Sequence, residues 1–458
     1  MSREILPALM ESLVLVPLVG ALLMRLSGGD PGRLRKLSTG VFGLEFLLAM
    51  GAAWSLLEKG RSLGFGMLLS VVVLAVLCVP LGVIGRSASN LEADSGRVLL
   101  SFLLLFFSAG FLLSPSSVWS VLFWGGVLFT ARRMERDLSG GTDPRRESFG
   151  PAMTVSLILF PVSQALSGHL PYFPSTDFGL GAVQEGAFGF AALAFLMFCP
   201  FFPFQRWLSF VPVSGELTPW ISLRVILLLL SAFGLLQWAL PLEGPSFSAS
   251  LPILLGLSLT SQLQGGLLAL GETVLRKRIA ALLFSQSALV VPALFLAGRE
   301  HPWVVVILGM SLTLPAILLA VATDHLERET RRQSLRDWSG LHRDMPRTDR
   351  LFLVSSLAFS AVPGFGAFSG LSLAVSGSPL SFPWFWSLLP LAGVVLVQGV
   401  LWKTWESIFL GPPMAVQLVP EDFPMAAFWK FAVFLVPVLL LGAGPFILWP
   451  HFPWKGGP

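Results

Sequence analysis

Residues 217–240 read LTPWISLRVILLLLSAFGLLQWAL, a run in which Arg224 is the single charged side chain. A helix rises 1.5 Å per residue, so a run of this length can cross the ~30 Å hydrocarbon core of a bilayer. Similar apolar runs recur along the whole chain of 458 residues, which is 54% hydrophobic and 12% charged. Soluble domains have roughly 25% charged residues. The composition therefore indicates an integral membrane protein and excludes a soluble enzyme.

The sequence predicts an all-α integral membrane fold with fourteen transmembrane helices. Each run is near twenty residues long, whereas barrel strands are about half that length and alternate in polarity. The connecting loops are short, which leaves no room for a separate soluble domain. The predicted spans are residues 5–25, 38–57, 64–85, 98–114, 117–131, 150–168, 182–204, 217–240, 249–270, 278–298, 302–323, 351–377, 383–410 and 426–449.

Lysine and arginine are distributed unequally between the two sets of alternate loops. The even-numbered loops hold Lys59, Arg61 and Arg299, whereas the odd-numbered loops hold basic residues at 25–36, 86–97, 132–146, 206, 276–278 and 328–350. An excess of Lys and Arg marks the cytoplasmic loops of a membrane protein. We therefore predict a protein of the bacterial-type cytoplasmic (inner) membrane, with both termini on the periplasmic side.

Proline and glycine fall inside three of the predicted spans. Pro200 and Pro203 lie in the seventh, Pro315 in the eleventh, and Pro363 with Gly364 in the twelfth. A proline removes a backbone donor and frees a carbonyl, which a membrane helix must satisfy through neighbours or water. Broken helices at corresponding places in two halves are typical of the ion path of transporters built from inverted repeats. A simple packing kink is the alternative interpretation for each proline.

Four groups of short motifs occur in order along the chain. They are PFQRWL at 203–208 with GELTP at 215–219; RKRIA at 276–280 with SQ at 285–286; LER at 326–328 with LRDWSGL at 335–341, MP at 345–346 and VPG at 362–364; and FLGP at 409–412. In this order and at these helix numbers they resemble the proton-conducting antiporter-like membrane subunits of respiratory complex I and of Mrp antiporters. The M-type subunit is the most similar.

The resemblance implies an architecture and a set of partners. Two inverted five-helix repeats are expected at 98–240 and 249–410, with breaks in helices seven and twelve. A three-helix segment at 1–97 precedes them, and helix fourteen lies within 411–458. The partners implied are other antiporter-like membrane subunits, a peripheral redox or soluble module and the lipid bilayer. Quinone, flavin and iron–sulfur clusters would be held only by partner subunits.

The family moves protons along a chain of buried charges, and this sequence departs from it at each of them. The family has a Glu in helix five, a Lys in helix seven, a Lys in helix eight and a Lys or Glu in helix twelve. These positions fall here on Gly125, Phe198, Leu229 and Leu371. An error in register does not restore them, because residues 60–276 contain no Lys, and residues 95–134 and 350–405 contain no Asp or Glu. The usual proton path is predicted to be missing.

Two sets of charged residues remain as candidates for an ion path. Arg224 lies seven residues after the start of span eight, and Glu216 precedes it by two turns. An arginine inside a membrane is costly and is a functional hypothesis by default, although a snorkelling side chain is the alternative. Lys403 and Glu406 are three residues apart on one face of span thirteen. They either replace a lost ion pair or lie at the interface.

Two further acids stand alone in the apolar runs. Glu45 lies in span two and Glu185 near the start of span seven, and both are expected near the membrane interface.

No motif for chemistry by the chain itself is present. The five histidines and two cysteines show no metal-site spacing, and no glycine-rich loop follows a strand to bind phosphate. The sequence therefore predicts no catalytic residue, no bound metal or cofactor and no nucleic-acid partner; whether the chain is part of an enzyme is left open.

Three functions remain open at this stage. The first is a membrane-arm subunit of a complex I-like, proton-translocating quinone oxidoreductase or antiporter assembly, itself lacking the usual path. The second is an uptake subunit for an anion such as bicarbonate, in which Arg224 attracts the anion and a soluble protein is the partner. The third is a membrane scaffold that conducts nothing.

Overall fold

The computed structural model describes residues 2–26, 31–58, 65–86, 91–114, 116–138, 149–168, 180–199, 202, 211, 215–242, 247–297, 302–376, 384–412 and 420–447. The regular structure of these residues is helical, apart from one isolated antiparallel bridge between Val274 and Ser334. In the same residues, nine helices are long and apolar enough to cross a membrane. The prediction of an all-helical membrane protein is therefore confirmed.

The helices follow the apolar runs because a backbone in lipid must satisfy its own hydrogen bonds. They are α1 (Ser2–Leu26), α2 (Pro31–Glu58), α3 (Phe65–Arg86), α4 (Leu91–Leu113), α5 (Ser117–Leu138), α6 (Phe149–Leu166), α7 (Leu180–Leu196), α8 (Leu217–Gly234), α9 (Phe247–Gly271), α10 (Leu275–Ser287), α11 (Val290–Ala297), α12 (Trp303–Thr330), α13 (Pro346–Phe359), α14 (Gly366–Ser376), α15 (Trp384–Phe409), α16 (Met425–Ala432) and α17 (Leu435–Ile447).

The chain divides into two compact units. The first contains Met1–Phe198 and Pro212–Ser246, and the second contains Cys199–Val211 and Phe247–Pro458. The first unit thus holds α1 to α8 and the second α9 to α17. The finer division into a segment at 1–97, two repeats and a final helix at 411–458 stays a prediction.

In the first unit, α2 packs between α1 and α3, α4 packs on α1, α3 and α5, and α6 packs on α7. α8 is buried on every side, and each of its residues from Leu217 to Gly234 lies in the interior. A helix that is apolar all round belongs at the centre of a bundle. α8 continues into a π-helical turn at Leu235–Ala239 and a 3₁₀ turn at Leu240–Leu242.

In the second unit, α12 has most of its residues in the interior and packs on α10, α11, α13, α14 and α17. The interruption predicted at Pro315 is wrong, because α12 runs without a break from Trp303 to Thr330. Neighbouring helices and local adjustments can satisfy the carbonyl that a proline frees inside a membrane helix. The tenth predicted span is instead interrupted at 288–289, between α10 and α11.

Candidate functional site

Aromatic rings fill the interior of the first unit. Trp124 of α5 lies 5.1 Å from Phe111 of α4 and 5.2 Å from Phe195 of α7, measured between ring centroids. Phe195 lies 4.9 Å from Phe160 of α6. All four rings are fully buried. The aromatic cluster, as we call this set, consists of Phe111, Trp124, Phe149, Phe160, Phe195, Phe198 and Phe233.

A glycine and a serine on neighbouring helices accommodate the aromatic cluster. A Cβ added at Gly234 of α8 would lie 2.7 Å from the Cζ atom of Phe195, so the glycine makes room for the ring. The indole Nε1 of Trp124 donates a hydrogen bond of 3.0 Å to the hydroxyl of Ser156 on α6. Ring pairs tilted at such distances are favourable beyond the area they bury, and a buried indole N–H needs an acceptor. The cluster is therefore closely packed.

The positions that the sequence aligns with the family's charged residues in the first predicted repeat lie in or near this apolar packing. Phe198, in the turn after α7, lies 5.9 Å from Trp124 and 5.3 Å from Phe149 between ring centroids. Leu229 is buried on α8. Gly125 follows Trp124 on α5, and a Cβ there would meet the Cδ2 atom of Leu157 at 3.5 Å. These neighbours of Phe198 and Gly125 are thus aromatic and aliphatic side chains, which cannot carry a proton.

Arg224 is held inside the first unit by an acid and an aromatic ring. Its side chain is 1% exposed, and Nη2 donates to Oε1 of Glu135 on α5. The guanidinium Cζ atom lies 4.7 Å from the ring centroid of Trp220, one turn earlier on α8. A snorkelling side chain keeps its charged group in water, so this burial contradicts that interpretation.

Glu135 was not among the predicted candidates. The fifth span was predicted to end at 131, which assigned the acid to a cytoplasmic loop. α5 in fact continues to Leu138, and its buried side chains include Ala131, Met134 and Leu138. Spacings of three and four residues are the helical signal that indicates this extension. Glu216, the predicted neighbour of Arg224, is the half-buried N-cap residue of α8.

The structure interrupts the twelfth span at the predicted place. Pro363 and Gly364 lie between α13 and α14, and both are exposed. Gly364 has φ +100°, a left-handed conformation that glycine adopts without strain. Ala361 also has a positive φ, +57°, which is costly for a side chain with a Cβ. Packing of the surrounding helices maintains this break.

Leu371, the predicted position of the helix-twelve charge, is buried on α14. The preceding Gly370 lies against α12, where an added Cβ would come within 3.0 Å of the Cβ atom of Leu308. On the other side, the hydroxyl of Ser369 donates to the carbonyl of Gly442 on α17 at 3.0 Å. α14 is therefore held tightly at Leu371.

The remaining candidates lie at the surface or outside the described residues. Lys403 and Glu406 are both exposed, in the last two turns of α15. This placement favours the interfacial interpretation. α7 ends at Leu196 and is followed by a turn at 197–199, while Pro200 and Pro203 lie outside the described residues. The part of the chain that the structure describes contains no group of three or more His, Cys, Asp or Glu side chains that could hold a metal ion.

The motifs of the second half meet in the folded second unit. Arg276 Nε lies 3.0 Å from Oε2 of Glu327, which joins the motif at 276–280 to that at 326–328. The amide of His342 donates to the carbonyl of Phe409 at 3.1 Å, and the amide of Gly340 to that of Leu410 at 3.2 Å. Motifs far apart in sequence are thus brought into contact within this unit.

Comparison with known proteins finds a similarity in the middle of the chain. Residues 179–397 match the family model described as "NADH:quinone oxidoreductase/Mrp antiporter, TM". These residues are therefore similar to that family. NADH-quinone oxidoreductase subunit M of Mycobacterium tuberculosis is 23% identical to this chain over 235 residues, which are 50% of this chain and 42% of that protein. The match thus spans less than half the length of this relative.

Solved structures extend the similarity of fold to nearly the whole chain. A chain of respiratory complex I from Thermus thermophilus with bound NADH matches with a TM-score of 0.71 and 20% identity, covering 95% of this chain and 96% of that one. A chain of the Mrp complex from Dietzia sp. matches with a TM-score of 0.75 and 14% identity, covering 97% and 96%. Both matched chains come from multi-subunit complexes.

Proposed function

We propose that this protein is a membrane-arm subunit of a complex I-like, proton-translocating or antiporter assembly, and that it does not itself conduct protons by the usual route. It has fourteen transmembrane helices in this proposal, with inverted repeats at 98–240 and 249–410 and both termini outside the cytoplasm. Its partners are other antiporter-like membrane subunits and a peripheral redox or soluble module. Any quinone, flavin or iron–sulfur cluster belongs to those partners.

The aromatic cluster is the observation that supports the loss of conduction. Proton transfer through a protein needs ionisable groups and water in reach of one another. In the first unit, phenylalanine and leucine occupy the positions aligned with the family's two lysines, and Leu157 lies beside Gly125. A packed apolar interior of this kind excludes water. In this proposal, the protein keeps the helices and motifs of the family, whereas residues that cannot ionise replace the family's proton-transferring side chains.

Proton flux through the isolated protein tests this proposal. The purified chain is reconstituted in liposomes that contain a pH-sensitive dye, and a potential is imposed with potassium and valinomycin. We expect no proton flux above that of empty liposomes. Subunit M of M. tuberculosis, prepared in the same way, is the matched comparison. Flux through this chain that exceeds the empty liposomes and is lost in Gly125→Trp would overturn the claim.

Membership of a larger assembly needs a separate experiment. The protein is purified under mild conditions from native membranes, and the proteins that accompany it are identified by mass spectrometry. Other antiporter-like subunits together with a quinone-reducing module are expected. A single soluble partner, or none, would contradict the proposal of a membrane-arm subunit.

Arg224 allows the anion-uptake alternative to be tested directly. An anion-binding arginine needs a positive charge that its surroundings do not cancel, but the carboxylate of Glu135 is bonded to this one. The ion pair therefore favours a structural role. In bicarbonate uptake by cells, Arg224→Leu combined with Glu135→Leu should have no effect. Loss of uptake in a correctly inserted double variant would favour the anion alternative instead.

A further inference from the structure

Glu45 lies deep in the interior of the first unit, at the middle of a membrane-spanning helix. The apolar span of α2 is Lys36–Leu56, so Glu45 is nine residues from its start and eleven from its end. At 1.5 Å per residue, the acid is roughly 13 Å or more from either end of the span. Its side chain is 0% exposed. The expectation that Glu45 lies near the interface is therefore wrong.

The surroundings of Glu45 are apolar. On the same face of α2, Phe42 and Ala49 are buried on either side of it. The ring of Phe42 lies 5.2 Å from that of Phe102 on α4, and it packs against Gly82 of α3. Neither carboxyl oxygen of Glu45 has a hydrogen-bond partner in the part of the chain that the structure describes. The acid has no counter-ion there to stabilise a negative charge.

The charged and titratable side chains that the structure describes on the neighbouring helices do not supply one. On α1, Glu11 and Arg25 are exposed, and on α4 Arg97 is half-buried and makes no hydrogen bond to the carboxyl oxygens. On α3, the thiol of Cys78 is buried near Glu45 and donates to the carbonyl of Leu74. A thiol is neutral at physiological pH and offers no positive charge. The basic residues Arg33 and Lys36 of α2 itself are exposed.

We propose that Glu45 is a proton-binding site in the membrane interior of the N-terminal helices. An ionised carboxylate in an apolar, unpaired setting is so costly that the group takes up a proton instead. Ser38, two turns earlier on the same face, is also 0% exposed and has a hydroxyl without a partner in the described residues. The site therefore consists of a protonated carboxyl with a second polar group about 10 Å away along the helix.

This site goes beyond the proposed function because it lies outside both predicted antiporter-like repeats. Its ligand is the proton. Among the described residues, Glu45 is the acid that lies at the centre of an apolar span. It adds a protonatable group to a protein whose repeats have lost theirs, and the claim does not depend on which assembly the protein joins.

Infrared spectroscopy of the full-length protein in lipid vesicles tests the proposal. A protonated carboxyl has a C=O stretching band that is separate from the bands of a carboxylate and shifts in D₂O. We expect this band in the wild type at about pH 7, where exposed carboxyls are ionised. It should be absent in Glu45→Gln and unchanged in the control Glu406→Gln, whose carboxyl is exposed.

A second variant keeps the test decisive if Glu45→Gln does not fold. Glu45→Asp retains a carboxyl on a shorter side chain, so the band should move in frequency without disappearing. A wild type without the band at about pH 7 would overturn the proposal, as would a band that neither substitution changes. Loss of the band on addition of sodium would also overturn it, because the site would then hold a metal cation rather than a proton.

Discussion

At the scale of single residues, the burial of Arg224 makes its partner essential for stability. Removing one member of a buried ion pair leaves an uncompensated charge, which costs about 3–5 kcal/mol. Glu135→Gln should therefore lower the free energy of unfolding by an amount in this range, and the melting temperature of the purified protein should fall accordingly. Thermal unfolding in detergent, followed by intrinsic tryptophan fluorescence, measures the effect.

Asp137 provides the matched control for this substitution. It lies two residues further along α5 and pairs with Arg133 at 3.7 Å, but both side chains of that pair are partly exposed. Exposed ion pairs contribute about 0–1 kcal/mol, so Asp137→Asn should change stability little. Equal effects of the two substitutions would contradict the structural role of the buried pair.

Phe198 should contribute to stability through packing rather than charge. Phe198→Ala removes a fully buried ring from the aromatic cluster, and such cavities cost about 3–5 kcal/mol. Phe129→Ala on α5 is the control, since that ring is 69% exposed. Chemical or thermal unfolding of both variants compares the two losses. A Phe198 variant as stable as the Phe129 variant would show that the cluster is loosely packed.

At the scale of elements, the break between α13 and α14 depends on a close approach by α17. A Cβ added at Gly442 would lie 2.7 Å from the Cα atom of Phe365 and closer still to the carbonyl of Gly364. Backbone atoms cannot move aside cheaply, so Gly442→Ala should destabilise the second unit by about 1–3 kcal/mol. Hydrogen exchange should then report faster opening of α14 and α17 than in the wild type.

Gly51→Ala is the control for the Gly442 substitution. Gly51 lies inside α2 with no atom within 4 Å of an added Cβ. Alanine there is expected to be neutral or to stabilise the helix by up to about 1 kcal/mol, because it restricts the unfolded chain. If the two alanine variants exchange at the same rate in α14, the glycine contact does not hold the break in place.

At the scale of the whole molecule, the charge pattern predicts the orientation in the membrane. Both native cysteines, Cys78 and Cys199, are buried, so an impermeant maleimide should react little with the wild type. Asp344→Cys, at an exposed position after α12, should be labelled in inverted vesicles and not in intact cells. Ser116→Cys, between α4 and α5, should show the opposite pattern. The reverse result for both would place the termini in the cytoplasm.

How far the sequence could predict this molecule depends on the range of the interactions involved. Apolar runs and the basic residues between them are local features, and they predict helices that span a membrane. Motif spacing also predicts that Gly125, Phe198, Leu229 and Leu371 stand where the family has charged residues, but it does not predict the aromatic packing around Phe198. Ring contacts join five helices, and no single segment contains the information that brings them together.

The amino-acid sequence by itself determined that the chain is helical and membrane-embedded, because length and hydrophobicity within one segment decide whether it can span a bilayer. Only the tertiary structure decided which polar groups are buried and what they contact. Glu135 and Arg224 are 89 residues apart, and their pairing follows from the packing of α5 on α8. The depth of Glu45 likewise follows from the helices that surround α2. Partners and burial are properties of the assembled bundle, since a helix alone does not specify what covers its faces.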